Sequence, residues 1–206
     1  MSDSVTKTTL ALFLIAACAS GNVVAQMHDG MDLGEISLSG KTPESIILLW
    51  PTYSYHLARL MISKYGQPAE ATDHSLVWLD NGPWKRTVVY RVPPGERALG
   101  RSRGRLEQSV AYRVPTGQLD ALARFDKDIE ADVKAGRLTA RSDDESLNFL
   151  SLNLADEILQ GLRTAREASD FRRDALRLRD AGKSSPYLDG LMFVKSGRPP
   201  DPESPD

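Results

Sequence analysis

Basic residues are concentrated in one stretch of the chain. From Lys85 to Arg113 the sequence holds eight lysines and arginines and only two acidic residues. Arginine presents a planar fork of donors that suits phosphates and carboxylates, and a neighbouring tryptophan can add an aromatic surface. We therefore predict a binding surface for anionic groups, formed by Trp84, Lys85, Arg86, Arg97, Arg101, Arg103 and Arg105.

The same stretch has a purely structural interpretation, which stays open at this point. The segment RALGRSRGR spaces its arginines among small residues, as a solvated loop beside a sheet edge does. A tryptophan that follows a tight turn often packs over the end of its own hairpin.

Residues for nucleophilic or metal chemistry are few. A hydrolase would have to combine His74 with a nearby carboxylate such as Asp73 or Asp80, and no G-x-S-x-G segment is present. A chain that began at Gln26 would place His28 third, which is a spacing that binds Cu(II) or Ni(II). Both remain alternatives, and we predict no catalytic residue, no metal site and no cofactor.

The first 25 residues predict export. A lysine, an apolar run of about ten residues and a small-residue segment follow one another, as in a secretory signal. Cleavage after Ala25 gives a signal peptide over residues 1–25 and a periplasmic protein. The segment Leu14–Cys18 instead resembles a lipobox, in which residues 1–17 are removed and Cys18 is lipidated, giving an outer-membrane lipoprotein. Cys18 is the single cysteine, so the chain has no intramolecular disulfide.

Composition limits the partners. The chain has 206 residues, 41% of them hydrophobic, and a formal net charge of −2, which gives no overall attraction to nucleic acid. No later segment has the roughly 20 apolar residues of a membrane span. We therefore predict contact with a membrane only through a lipid anchor, and leave the oligomeric state open.

Hydrophobic periodicity predicts an α+β fold. Helical spacing indicates helices over 54–65, 143–162 and 165–181, with Ser54 as a cap and capping boxes at Ser142–Glu145 and Thr164–Glu167. Strand-like runs occupy 75–79, 86–91 and 107–114, with a loop of about five residues at 80–84, and 129–141 forms another hairpin. We expect an antiparallel sheet of four or five strands packed against three to four helices.

Polar segments on both sides mark the limits of a single predicted domain. Residues 26–41 are predicted to form a flexible leader, 42–195 one α+β domain, and 196–206 a proline-rich disordered tail.

Four segments carry a resemblance to a known group of proteins. WPTYSYHLARLMISKYGQPAEAT, LVWLDNGPWKRTVVYR, LEQSVAYRVP and ESLNFLSLNLADEI resemble a family of uncharacterised exported bacterial proteins. The resemblance implies export and a common fold but supplies no activity or site residue. The helix that ends at Gly66-x-Pro68 and leads into a Trp-bearing strand is also similar in architecture to small lipoproteins of the outer-membrane assembly machinery, which are binding modules.

These observations favour an exported cell-envelope protein that works as a non-catalytic binding or assembly module. Its expected partner is an envelope protein or an anionic surface component.

Overall fold

The computed structural model describes residues 41–92 and 104–193. The predicted signal segment with Cys18, the leader up to residue 40 and the tail over 196–206 lie outside these residues. Arg97, Arg101 and Arg103 lie outside them as well.

The described residues form one antiparallel sheet of six strands with six helices, which confirms the α+β class. The strands are β1 (Glu70–Ala71), β2 (Ser75–Asn81), β3 (Trp84–Tyr90), β4 (Leu106–Ala111), β5 (Ile129–Asp132) and β6 (Arg137–Ser142), in the spatial order β1-β2-β3-β4-β6-β5. The count exceeds the predicted four or five because β1, which has only two residues, shows no strand pattern in the sequence.

The helices differ widely in length. They are α1 (Pro43–Ile47), α2 (Thr52–Tyr65), α3 (Leu119–Phe125), α4 (Glu145–Leu159), α5 (Ala165–Asp180) and α6 (Pro186–Asp189). The three long ones, α2, α4 and α5, match the predicted helices within two to three residues at each end. Thr164 and Glu167 form the predicted capping box at the start of α5.

The main core lies on one face of the sheet. Successive side chains of a strand point to opposite faces, so alternate residues of each strand reach the helices. Leu76, Trp78, Val89 and Leu106 share a buried cluster with residues of α1 and α2, whereas Val110, Leu138 and Ala140 share one with residues of α3 and α4. On β4, Gln108 therefore points towards the helices and Glu107 points to the opposite, outer face.

Two predicted helix caps are wrong. Ser142 belongs to β6, and the cap of α4 is Asp144, whose Oδ1 accepts from the N–H of Leu147 at 2.9 Å. The cap of α2 is Pro51, and Ser54 is buried inside the helix, where its hydroxyl donates to the carbonyl of Arg91 at 2.7 Å. The backbone of Ser142 is part of the sheet, where the residue pairs with Leu106, and the side chain of Ser54 is used in a tertiary hydrogen bond.

The β2–β3 hairpin turns more tightly than the predicted five-residue loop. Asn81 pairs with Trp84, so only Gly82 and Pro83 form the turn, and Gly82 has the positive φ (64°) that favours glycine. Asp80 also has a positive φ of 48°. This left-handed residue interrupts the alternation of the strand, and Asn81 and Trp84 both point into the core beyond it.

Candidate functional site

Trp84, the aromatic member of the predicted binding surface, lies in the core. Its side chain is 1% exposed, and its ring stacks on Phe149 of α4 at a centroid distance of 4.9 Å. Its indole Nε1 donates to Glu145 Oε1 at 2.7 Å and to the Tyr65 hydroxyl at 3.1 Å. Trp84 has no surface left for a ligand, so it is not part of the contact surface proposed below.

The carboxylate of Glu145, which accepts the hydrogen bond from Trp84, is the centre of a buried polar cluster. Glu145 is the first residue of α4, and its Oε1 also accepts from Gln108 Nε2 at 2.9 Å and from the Tyr65 hydroxyl. Its Oε2 contacts the ammonium group of Lys64. These bonds join α2, the sheet and α4 at one point, so the cluster fixes where the helices lie on the sheet.

The hydrogen bonds keep Glu145 ionised. Burial alone would raise the pKa of its carboxyl, but the hydrogen bonds from Lys64, Tyr65, Gln108 and Trp84 outweigh burial and hold that pKa below its usual value. The pKa of the Tyr65 phenol is raised, first by burial and then by Glu145. Tyr65 is therefore a neutral donor at physiological pH, which suits a structural role better than that of a nucleophile.

Lys85 and Arg86, the adjacent basic pair, each contact an acidic side chain. Lys85 Nζ lies 2.8 Å from Asp80 Oδ1 across the hairpin, and both side chains are exposed. Arg86 Nη1 donates at 2.9 Å to Glu107, which is buried on the outer face of the sheet. The pairing lowers the net charge that either cation offers to a ligand, and their role as contacts stays a prediction.

Glu107 binds a second arginine as well. Arg141 of β6 binds its Oε2 through Nε at 3.1 Å, and the Tyr90 hydroxyl donates to the same oxygen at 3.0 Å. Burial alone would lower the pKa of Arg141, but its contacts with Glu107 raise it above the ordinary value. This cluster joins β3, β4 and β6 on the face that the long helices leave uncovered.

Arg105 is the described member of the predicted arginine loop, and its contacts differ from those of Lys85 and Arg86. Its Nη1 contacts Asp143 Oδ1 at 3.3 Å, and its guanidinium carbon lies 5.1 Å from the ring centroid of Tyr53. The Tyr53 hydroxyl donates to the carbonyl of Asp143 at 2.9 Å. Burial raises the pKa of Tyr53, and the carboxylates of Asp143 and Asp144 raise it further, so Tyr53 stays a neutral donor.

Beside Tyr53 lies a surface that sequence analysis did not single out. We call Leu48, Leu49, Tyr53, Arg91 and Val92 the apolar–basic patch. Leu48 and Leu49 are 69% and 72% exposed in the turn between α1 and α2, and Tyr53 and Val92 are 49% and 46% exposed. Arg91 Nη2 donates to the carbonyl of Leu49 at 3.1 Å, and no carboxylate among the described residues pairs with this guanidinium.

The fold holds this patch together through the backbone. The Ser54 hydroxyl of α2 binds the carbonyl of Arg91, and the N–H of Arg91 donates to the carbonyl of His74 at 2.8 Å. The two leucines belong to the run IILLW, in which every residue is apolar. A uniformly apolar run carries no periodicity, so no sequence pattern separates buried Ile46 and Ile47 from exposed Leu48 and Leu49.

The residues of the predicted hydrolase alternative are not arranged as a catalytic set. Asp73 lies 3.8 Å from Lys41, and Asp80 contacts Lys85. His74 is exposed and forms hydrogen bonds through its backbone, while the ring of His56 contacts the ring of Tyr55. In the described ranges neither imidazole forms a hydrogen bond or ion pair with a carboxylate.

A second basic surface lies on α5, but its charges are compensated. An open groove of about 640 Å³ is lined by Phe125, Ser169, Arg172, Arg173, Leu176, Arg177 and Asp180. Arg172 pairs with Asp126, Arg173 with Asp170 and Arg177 with Asp174. Because each arginine has its own carboxylate, this groove offers less free charge than the patch beside Arg91.

The part of the chain that the structure describes holds neither a metal-ligating cluster nor a membrane-spanning helix. No group of three or more His, Cys, Asp or Glu side chains there could hold a metal ion. No helix of those residues has the length and apolar character needed to cross a membrane.

Comparison of the chain with protein-family models, with curated proteins and with solved structures gave no match. The resemblance to a family of exported proteins therefore stays a prediction.

Proposed function

We propose that this protein is an exported cell-envelope binding or assembly module, and that the apolar–basic patch is its contact surface. The observation that carries the proposal is the exposed pair Leu48 and Leu49 beside Arg91, a guanidinium without a carboxylate partner among the described residues. Exposed apolar area gains free energy when a partner covers it, and an uncompensated arginine favours a partner that carries negative charge.

Arg105, the described arginine of the predicted loop, lies beside the patch. Residues 93–103, which contain Arg97, Arg101 and Arg103, follow Val92 directly and lead into Gly104 and Arg105. Both ends of this segment are therefore attached at or beside the patch, because Arg105 contacts Tyr53.

In-cell photo-crosslinking tests this function. A photoreactive amino acid replaces Leu49 or Tyr53 in separate variants, and Leu162 in a control variant. Leu162 is also exposed (76%), but it lies beyond the C-terminal end of α4. Asp143, which contacts Tyr53 of the patch, lies just before the N-terminal end, and the helix between them is about 22 Å long. We expect irradiated native host cells to yield adducts, with protein or with lipid, from positions 49 and 53 but not from 162. Equal adducts from all three positions, or none from 49 and 53, would overturn the proposed contact surface.

A further inference from the structure

We propose that the apolar–basic patch docks on the surface of a lipid bilayer that contains anionic phospholipids. This inference rests on the proposed function and names the chemical class of the partner. Sequence analysis predicted membrane contact only through a lipid anchor, whereas this contact uses the folded domain itself.

The two leucines are suited to shallow insertion. They are adjacent residues of a turn and both are about 70% exposed, so they protrude together. The backbone beside them already has internal partners: the N–H of Leu49 donates to Ile46, the N–H of Trp50 donates to Ile47, and the carbonyl of Leu49 accepts from Arg91. The leucine side chains can therefore enter the acyl region while these backbone groups keep their hydrogen bonds.

The polar neighbours match the chemistry of the headgroup layer. Arg91 is anchored to the leucine turn, so its guanidinium lies where headgroup phosphates would lie if the leucines entered the acyl region. Tyr53 is a half-exposed neutral phenol, and tyrosine is enriched at membrane interfaces, where its ring is apolar and its hydroxyl is hydrated.

A bilayer fits this arrangement better than a protein partner does. A stable protein interface needs roughly 800 Å² of complementary surface on each side, usually with an aromatic or arginine anchor seated in a pocket. Here the apolar groups form a small protrusion with Arg91 at its base. A fluid surface that carries negative charge needs no complementary shape. Burial of the apolar area and attraction of a nearby arginine both strengthen binding to it.

The first experiment reports the environment of the leucine turn directly. Cys18 is the only cysteine, so Cys18→Ser removes it and blocks acylation, and Leu49→Cys then provides one labelling position for an environment-sensitive fluorophore. Leu162→Cys in the same background is the control. We expect vesicles with 30% phosphatidylglycerol to shift the emission of the label at 49 to the blue, with little effect at 162. Vesicles of phosphatidylcholine alone, or high salt, should reduce the shift because headgroup attraction is screened.

Vesicle co-sedimentation then assigns the contributions. Leu48→Ser/Leu49→Ser should weaken binding by about tenfold or more, since two exposed apolar side chains are lost. Arg91→Gln keeps a donor for the carbonyl of Leu49 but removes the charge, and should weaken binding about fivefold. Leu162→Ser, which loses the same apolar side chain elsewhere, should bind like the wild type. The substituted leucines are exposed, so unchanged circular dichroism spectra should show that the fold is retained.

The outcomes separate this inference from the proposed function. A label at 49 that responds to no vesicle, or labels at 49 and 162 that respond equally, would overturn membrane docking. If the label at 49 is silent while crosslinking from 49 and 53 still captures a protein, the contact surface stands and its partner is a protein. If crosslinking from 49 and 53 fails as well, both proposals are wrong.

Discussion

Replacing Glu145 by alanine tests whether the buried polar cluster determines the stability of the fold. The substitution leaves the fully buried Gln108 Nε2 with only a 3.5 Å contact to Thr87 Oγ1 in place of its 2.9 Å acceptor, and it removes the acceptor of the Tyr65 hydroxyl. Trp84 Nε1 keeps the Tyr65 hydroxyl as a partner. Each buried polar group that loses its partner costs about 1–3 kcal/mol, so we expect the free energy of unfolding to fall by about 3–5 kcal/mol.

Two further variants separate hydrogen bonding from charge. Glu145→Gln retains an acceptor oxygen for the buried donors and should cost only about 1–2 kcal/mol. Lys64→Met removes the cation but leaves every buried donor of the cluster satisfied. Because the Lys64 side chain is half exposed, solvent screens the ion pair, and this variant should cost less than about 1 kcal/mol.

Urea denaturation followed by tryptophan fluorescence measures these differences. The alanine variant should also melt roughly 10 °C below the wild type, since a domain of this size loses about 2–4 °C for each kcal/mol. An alanine variant within about 1 kcal/mol of the wild type would refute the reasoning. So would a Lys64→Met variant as unstable as Glu145→Ala, because the ion pair would then outweigh the buried hydrogen bonds.

The same carboxylate gives the fold a dependence on acid. The pKa of Glu145 is lower in the folded protein than its usual 4.5, so its contribution to stability is fully present above about pH 4.5 and is lost as the pH falls through the folded value. Glu145→Gln removes this titration, and its stability should fall less steeply below pH 4.5 than that of the wild type. Some acid dependence should remain, because the pKa values of Glu44, Asp132 and Glu167 are also lowered.

Two backbone positions give further predictions. A Cβ built on Gly104 would lie 1.9 Å from the backbone of Ser142, so Gly104→Ala should destabilise the fold by about 2 kcal/mol or more, whereas Gly117→Ala, whose Cβ meets nothing within 4 Å, should stay within about 1 kcal/mol of the wild type in the same denaturation assay. Asp80→Val should cost about 1–2 kcal/mol because a β-branched residue is strained at φ 48°, whereas Asp80→Gly should cost less than Asp80→Val. Equal losses within either pair would contradict the reason given for it.

The sequence predicted those parts of the fold that depend on local pattern. Helical spacing located α2, α4 and α5, and the Thr164–Glu167 capping box was confirmed because both partners lie within one turn of the same helix. The predicted capping box of α4 was wrong. Ser142, the predicted cap, pairs with Leu106 in the sheet, and Glu145 accepts hydrogen bonds from α2 and the sheet. Side chains that can serve two partners are assigned by tertiary contacts, which a local pattern does not contain.

The candidate site was predicted only in part, again because the sequence pattern does not contain tertiary contacts. The excess of basic residues between Lys85 and Arg113 is real in the sequence, but in the fold Lys85 pairs with Asp80, which lies outside that stretch. Asp143, which is distant in the sequence, binds Arg105. Counting charges along the chain therefore overstated the charge that is free to bind a ligand.

Arg91 illustrates what the fold adds. It was one basic residue among eight in the sequence, and nothing in its neighbourhood marked it as different. The fold pairs its guanidinium with the carbonyl of Leu49, and no carboxylate among the described residues binds it, so a positive charge lies beside two exposed leucines. A contact surface for an anionic partner needs apolar area and free positive charge at the same place. In the described residues that combination arises at the end of β3, beside the turn that precedes α2, and the hairpin at Trp84, Lys85 and Arg86 lacks it.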